Sequence, residues 1–461
     1  MSSPLHAMYS RDDKKQIEVR TSVDVVPDLG KNASTTAEKI SAYFTIAAAA
    51  LGLLSDGYQS YLMTAANVIF ERLYPDDYTP TVATRVSNAM LVGALIGQLL
   101  IGLVCDRIGR KVALVFTTLL IVLGATLCTA AHGAHGSAKG LFWFLTFSRG
   151  LTGIGVGGEY PAASASATES ANEQMLSKRG PVFVMVTNFT LTFGGPLASS
   201  VFLIVLSIVG ENHLSTVWRI CFGFGIFLPL GVLVFRLRML SSELYRKGAI
   251  KRRVPYQLVF KRHWKTLIGT SGAWFIFDFV AFPNAIFSGT IISSVVHNGD
   301  IKKIAEWQLL LSSITLPGVV IGALLCNPLG RRNTAAGVIL LVSAESYATP
   351  IRGTCYGLSA AIAKVGAVIG VQAFAPIQKR LGAKWPFIIA AIANFAGVLV
   401  TYFFVPHVTG ADLADGDARF MKYLESNGWE GEVGEDEDRN LIGREPSTGS
   451  GSAINRVHPP N

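Results

Sequence analysis

Long apolar runs separated by short polar turns dominate the chain between residues 42 and 405. Ten runs lie near 42–68, 86–104, 112–131, 140–163, 181–209, 217–235, 266–296, 305–326, 354–377 and 385–405. Each can supply the roughly 20 helical residues that a bilayer crossing needs. Lysine and arginine sort into alternate connections. With the N-terminus placed inside, the inner connections carry 18 basic residues and the outer ones 8, which supports that orientation. Ten of the 18 fall in one stretch, 236–265. The connection Gln378–Lys384 runs against the trend.

Composition agrees with this pattern. Half of the residues are apolar and 15% are charged, which excludes a soluble enzyme and fits a multi-spanning membrane protein. The net charge of +9 is explained by the basic inner connections, so no nucleic-acid partner is expected. Five cysteines (Cys105, Cys128, Cys221, Cys326, Cys355) lie in or beside apolar runs without metal-ligand spacing. They predict no disulfide framework, metal or cofactor. Residues 1–40 read as a disordered cytosolic arm without a cleavable signal. The chain from 407 to 461 holds the acidic run Glu435-Asp436-Glu437-Asp438 and reads as a disordered acidic cytosolic tail. An amphipathic helix over 415–426 is compatible with that, but a solvated tail is the plainer expectation. The predicted organisation is therefore an arm (1–40), a six-helix bundle (41–235), a basic cytosolic linker (236–265), a second bundle (266–406) and the tail.

Two motifs recur. Cys105-Asp106-Arg107-Ile-Gly109-Arg110-Lys111 returns as Cys326-Asn327-Pro328-Leu-Gly330-Arg331-Arg332, 221 residues later. Glu169-Ser170…Arg179-Gly180 returns as Glu345-Ser346…Arg352-Gly353, 173 residues later at the arginine. Repeated helical halves are a transporter architecture. The two offsets differ by 48 residues, about two spans with a turn. Only 333–344 remains where the first half has its third and fourth helices. Its apolar core, Ala335–Ser343, would reach about 14 Å as a helix, under half the hydrocarbon core. The fold expected is an all-α membrane protein of two pseudo-symmetric bundles. The second bundle lacks about two helices, which leaves ten spans plus a short remnant.

The segment 140–163 concentrates chemistry. Gly153-Ile-Gly155-Val-Gly157-Gly158 matches a dinucleotide motif, but no strand–turn–helix context surrounds it. Gly153 and Gly157 instead make a G-x-x-x-G pair suited to close helix approach. Arg149 stands ten residues before Glu159, about 15 Å along a helix, so the two do not pair directly and Arg149 reads as structural. Three carboxylates fall within apolar runs: Asp56, Glu159 and Asp278. A carboxylate out of water can hold a proton near neutral pH, which is the chemistry of proton coupling. Each could equally pair with a base inside the bundle. Trp274, Asp278 and Phe282 share one helix face, either as a ligand-facing stripe or as plain packing. Lys364 is the lone cation of its run, with Gln372 on the same face. An anionic substrate or a bundle carboxylate could balance it.

Asp106-Arg107-x-Gly109-Arg110-Lys111 resembles the loop signature of the major facilitator superfamily. Gly157-Gly158-Glu159-Tyr160-Pro161 and Ser359-Ala-Ala-x-x-Lys364 resemble its phosphate:proton symporter branch. Asp56-Gly57-Tyr58, Trp274…Asp278…Phe282-Pro283-Asn284 and Glu345-Ser-Tyr-Ala-Thr are most similar to fungal glycerophosphoinositol and glycerophosphodiester permeases. The resemblance implies a plasma-membrane symporter, monomeric, whose partners are protons and a small anionic organic phosphate. It implies substrate contacts at Tyr160, Asn188, Trp274, Asp278, Phe282 and Lys364, and proton coupling at Asp56, Glu159 and Asp278. It also implies a gate clasp at Asp106, Arg107, Gly109, Arg110 and Arg331. Phosphate symporters carry tyrosine where this chain has Phe282, and fewer donors suit a diester. The tenth helix of the branch adds a cavity asparagine for which this chain offers no counterpart. Two alternatives stay open: an inorganic phosphate symporter, and a transport-inactive, regulatory truncated form. No enzymatic activity is expected, because no nucleophile–base pair or metal motif is in view.

Overall fold

The computed structural model describes residues 36–239, 242–250, 254–295, 300–331, 333–382, 384–405 and 412–431. Among these the regular structure is helical throughout. The first half contains α1 (Thr36–Leu73), α2 (Pro80–Arg107), α3 (Arg110–Thr129) and α4 (Ala138–Met175). Next, α5 (Arg179–Val184) passes through a π turn, Met185–Phe189, into α6 (Thr190–Val209), and α7 (Leu214–Arg238) completes the half. A short α8 (Glu243–Gly248) leads to α9 (Tyr256–Val295), α10 (Ile301–Leu325), α11 (Ala335–Glu345), α12 (Arg352–Leu381) and α13 (Trp385–Phe404). The last helix is α14 (Leu413–Ser426). All ten apolar runs are therefore helical.

Large apolar side chains such as Phe147, Ile208, Phe227, Ile314 and Phe395 stand exposed around the bundle, as a lipid-facing surface requires. Small residues decide the closest contacts inside it. A Cβ on Gly153 or Gly157 would strike the backbone of Met90 or Ala94, and one on Gly97 would strike that of Ile154. The predicted glycine pair is thus where α4 lies against α2. No strand precedes it, so the dinucleotide reading fails. Gly366 and Gly370 bring α12 equally close to the Phe275 and Phe279 carbonyls of α9.

The halves are unequal. By the sequence repeat α10 corresponds to α2, and α11 to the last part of α4. Among the described residues nothing corresponds to α3. At 11 residues α11 is about 16 Å long, half a hydrocarbon core. As a result, 17% of the apolar window of α10 is buried against 56% for α2. Trp307, Leu310, Ile314 and Leu324 on α10 are left exposed.

Three expectations need correction. The linker 236–265 is not a free basic loop. Its start belongs to α7, where Arg236 is buried, α8 lies within it, and α9 begins ten residues before the expected 266. The tail from 407 is not simply solvated. Leu413, Phe420 and Leu424 of α14 are buried, the last two against Tyr347, Ile351 and Cys355. The arm gives way to helix at Thr36. Its remainder, residues 1–35, and the acidic run within 432–461 lie outside the described residues.

Candidate functional site

With 38 residues, α4 is about 57 Å long and runs well past the hydrocarbon core at one end. That end carries a buried ionic clasp, and its geometry follows the sequence repeat. Glu169 accepts hydrogen bonds from Arg110 of its own half (3.2 Å) and Arg352 of the other (2.8 Å). Glu345 accepts from Arg331 of its own half (2.6 Å) and Arg179 of the other (2.7 Å). Asp106, bonded to Arg110, caps the start of α12 by accepting from Gly353 N (3.0 Å), Thr354 N (2.6 Å) and Thr354 Oγ1 (2.7 Å). A carboxylate at a helix N-terminus is favoured both by the free N–H groups and by the dipole. Arg110 also donates to Thr349 O (3.1 Å). Gly109, at φ 116°, supplies the backbone reversal between α2 and α3 that a side chain would resist.

The clasp contains Asp106, Arg110 and Arg331 as expected, but not Arg107. That exposed arginine reaches the Tyr256 hydroxyl at 3.1 Å instead. Glu169, Glu345, Arg179 and Arg352 stood out in the sequence as repeat markers, and Glu345 also in the family resemblance, but none was assigned to the clasp. Their reciprocity was the available signal. α14 seals the same end: Asn172 Nδ2 donates to Asp412 (2.8 Å), and Thr349 N donates to Asp417 (2.7 Å).

Between the halves lies a cavity of about 180 Å³. Tyr160, Asn188, Trp274, Asp278, Phe282 and Lys364 all line it. Asn188 sits in the π turn of Met185–Phe189, an irregularity that recurs at functional sites. Lys364 Nζ donates to Asp278 Oδ2 at 2.6 Å and lies 4.2 Å from the Phe282 ring centroid. The aromatic stripe of α9 therefore faces both the cavity and this ion pair. Leu340 of α11 also lines the cavity, whereas Gln372 faces a separate crevice between α2, α4 and α12.

Asp56 and Glu159 lie apart from this pair. Glu159 forms a two-pronged ion pair with Arg236, which donates as well to Leu114 O (3.1 Å) and to Thr118 Oγ1. The pair fits because Gly52 leaves room for it. Asp56 is fully buried, and neither of its oxygens has a hydrogen-bond partner. Sequence reading missed Arg236, which looked like a loop base, and the cavity position of Arg149.

At the end away from the clasp, Leu91, Ile286, Ala367 and Val371 close together with Phe282 against them. A largely apolar cavity holding a few polar and charged side chains between two helical bundles, flanked at each end by contacts between the halves, is the construction of an alternating-access transporter. Residues 44–246 and 332–420 match the sugar (and other) transporter family. The chain is 45% identical to glycerophosphoinositol permease 1 of Candida albicans, covering 90% of this chain and 89% of that one. It is also 45% identical to glycerophosphoinositol transporter 1 of Saccharomyces cerevisiae, covering 85% and 84%. The structure of the proton:xylose symporter XylE bound to 6-bromo-6-deoxy-D-glucose superposes with a TM-score of 0.67 at 15% identity, over 82% of this chain and 98% of that one. The chain belongs to the major facilitator superfamily, in its sugar (and other) transporter family, and is similar to fungal glycerophosphoinositol permeases. The alignment with the Candida protein runs over 465 positions but takes in 90% of these 461 residues. About 50 positions therefore lack a counterpart here, the size of the shortfall read from the repeat.

Proposed function

We propose that this protein imports a glycerophosphodiester, glycerophosphoinositol foremost, together with protons across the plasma membrane. The carrying observation is that Tyr160, Asn188, Trp274, Asp278, Phe282 and Lys364 converge on one cavity. They do so in a chain 45% identical to two fungal glycerophosphoinositol carriers. The clasp end faces the cytosol, where the basic connections lie and both termini emerge. Asp278 and Lys364 neutralise each other until a hydroxyl oxygen of the substrate competes for the ammonium. A proton taken up by Asp278 releases Lys364 to that oxygen, so anion and proton load together. Glu159 is committed to Arg236, which leaves Asp56 as the second proton acceptor. Phe282 offers an apolar wall where a phosphate-selective site would place a donor. No bond in the substrate changes, so the protein is a carrier rather than an enzyme.

One observation favours a second reading. α11 crosses half of the hydrocarbon core and presents Leu340 to the cavity, not an amide. In that reading the chain is a transport-inactive, regulatory form. Uptake of radiolabelled glycerophosphoinositol and phosphate separates the two. It would be measured at pH 5 and pH 7.5 in cells lacking their own carriers. These would express the native chain, Asp278→Asn, or a version with the missing residues restored. Acid-stimulated diester uptake by the native chain, lost in Asp278→Asn, is expected. Diester uptake only by the restored version establishes the inactive form, and uptake of phosphate alone overturns the diester assignment.

A further inference from the structure

Arg149 is 3% exposed, lines the cavity and has no carboxylate in salt-bridge reach among the described residues. Its one hydrogen bond runs from Nη2 to the Met90 thioether at 3.2 Å, a weak acceptor, and its Nε has no partner. Three residues before Met90 on α2, Ser87 lines the same cavity, is 2% exposed, and its hydroxyl is also unpartnered. Lys364, by contrast, is balanced by Asp278. An uncompensated arginine is expensive to bury. Its charge is therefore available to an anion entering the cavity, whereas that of Lys364 must first be released.

Position adds to the charge argument. Arg149 precedes Tyr160 by 11 residues on α4, about 16 Å along the helix. The cavity thus has two poles: Arg149 with Ser87 at one, and Tyr160, Asp278 and Lys364 at the other. An extended molecule with a phosphate toward one end and hydroxyls at the other spans that distance. While Asp278 and Lys364 stay paired, one uncompensated positive charge matches a phosphodiester, which carries a single negative charge. A phosphate monoester carries about −1.5 to −2 at neutral pH.

We infer that Arg149 and Ser87 form the phosphate subsite of the cavity and select a singly charged diester over a monoester or free phosphate. The inference rests on the diester reading above and assigns the atoms that hold the phosphate.

The test is equilibrium binding of radiolabelled glycerophosphoinositol at pH 7.5 to the purified full chain in lipid nanodiscs, with inorganic phosphate and glycerol 3-phosphate as competitors. Arg149→Gln should weaken diester binding by roughly 10–100-fold, the range for a lost hydrogen bond to a charged group. Arg149→Lys should stay within about fivefold of the wild type, since the charge is kept. Ser87→Ala removes no charge from the packed interior and serves where Arg149→Gln does not fold; it should weaken binding about fivefold. In the wild type, the two competitors should displace the diester at least about tenfold less well than unlabelled diester does. Diester binding unchanged in both Arg149→Gln and Ser87→Ala overturns the subsite while leaving the proposed function intact. Equal competition by inorganic phosphate overturns the selectivity. A wild type that binds no diester overturns the functional reading itself, and the subsite with it.

Discussion

At the clasp end, Asp106, Glu169 and Glu345 hold four buried arginines (Arg110, Arg179, Arg331, Arg352) and the first turn of α12. At the far end, Leu91, Ile286, Ala367 and Val371 pack together without charge, and the halves are otherwise joined there by neutral bonds from Thr64 Oγ1 to Ala285 O (3.0 Å) and from Asn67 Nδ2 to Ile286 O (3.5 Å). Every bond of the clasp is directional, and several are shared. Glu169 joins an arginine from each half, so parting the halves breaks its link to Arg352 and must hydrate the charge that is freed, while Arg110 stays with it. Removing one partner of a buried pair typically costs 3–5 kcal/mol. The plug has no such coupling. Its side chains are each worth about 1.5–3 kcal/mol of burial at most, and contact can be lost gradually. The difference assigns the two closures separate roles: a latch that is shut or open, and a seal that yields by degrees.

The sharpest way to break this contrast is to cut the shared node. Glu169→Gln keeps the shape but removes the charge that Arg110 and Arg352 share. The clasp end should then open for a substantial fraction of the time. A built-in reporter exists, because Cys105 is fully buried beside Arg110, whose Nη1 lies 3.3 Å from its sulfur. A membrane-impermeant maleimide added to the clasp side should label Cys105 at least about tenfold faster in Glu169→Gln, given a pair worth 3–5 kcal/mol. A Cys105→Ala version provides the background. Unchanged labelling would mean that Asp106 and Glu345 hold the latch without Glu169.

Much of this was legible in the chain. The ten apolar runs gave the ten spans because bilayer thickness fixes helix length whatever surrounds them. The unequal repeat offsets exposed the shortened second half, since a repeat measures its own deletions. Asp278 and Lys364 stood out because ionisable groups inside apolar runs are rare and must face protein, Trp274 and Phe282 followed from sharing a helix face with Asp278, and Tyr160 and Asn188 came from the family resemblance. What escaped was pairing at long sequence distance. Arg236 sits 77 positions from Glu159 at the end of a span, where a basic residue reads as a positive-inside anchor. Arg149 read as structural because its only obvious carboxylate lay too far along its own helix. The docking of α14 needed the clasp-end surface, which no local pattern describes.

The plug gives a smaller effect. Val371→Ala and Leu91→Ala each remove side-chain volume from a contact with few other members. Each should open the far end modestly, at about 1–3 kcal/mol for a large-to-small change. A cysteine placed at Ala285, a cavity residue beside Ile286, would report on access from that side. Only part of that cost falls on the closed state, so labelling should rise about threefold to tenfold in either background and further in the double variant. A jump from silent to fully reactive in one single variant would show that the plug is a latch too, and the contrast would fail.

The smallest expected effect concerns α14, which seals the clasp from outside the bundle. Burial pushes the Asp417 carboxyl above its ordinary value of 3.8, although nearby Arg352 and the bond from Thr349 N pull it down. The sign follows from where the proton is held. Docked α14 binds it more tightly than undocked α14, so docking gains as pH falls through the docked value toward 3.8. It loses that gain as pH rises through the same window, and is flat above it. Hydrogen exchange of the α14 amides, corrected for intrinsic rates, should therefore show greater protection at pH 4.5 than at pH 7.5. Asp417→Asn, which cannot ionise, should be protected equally at both. Greater protection at pH 7.5 in the native chain would mean that the ionised carboxylate, held by Arg352, is the docking form. The seal would then belong with the ionic clasp it covers.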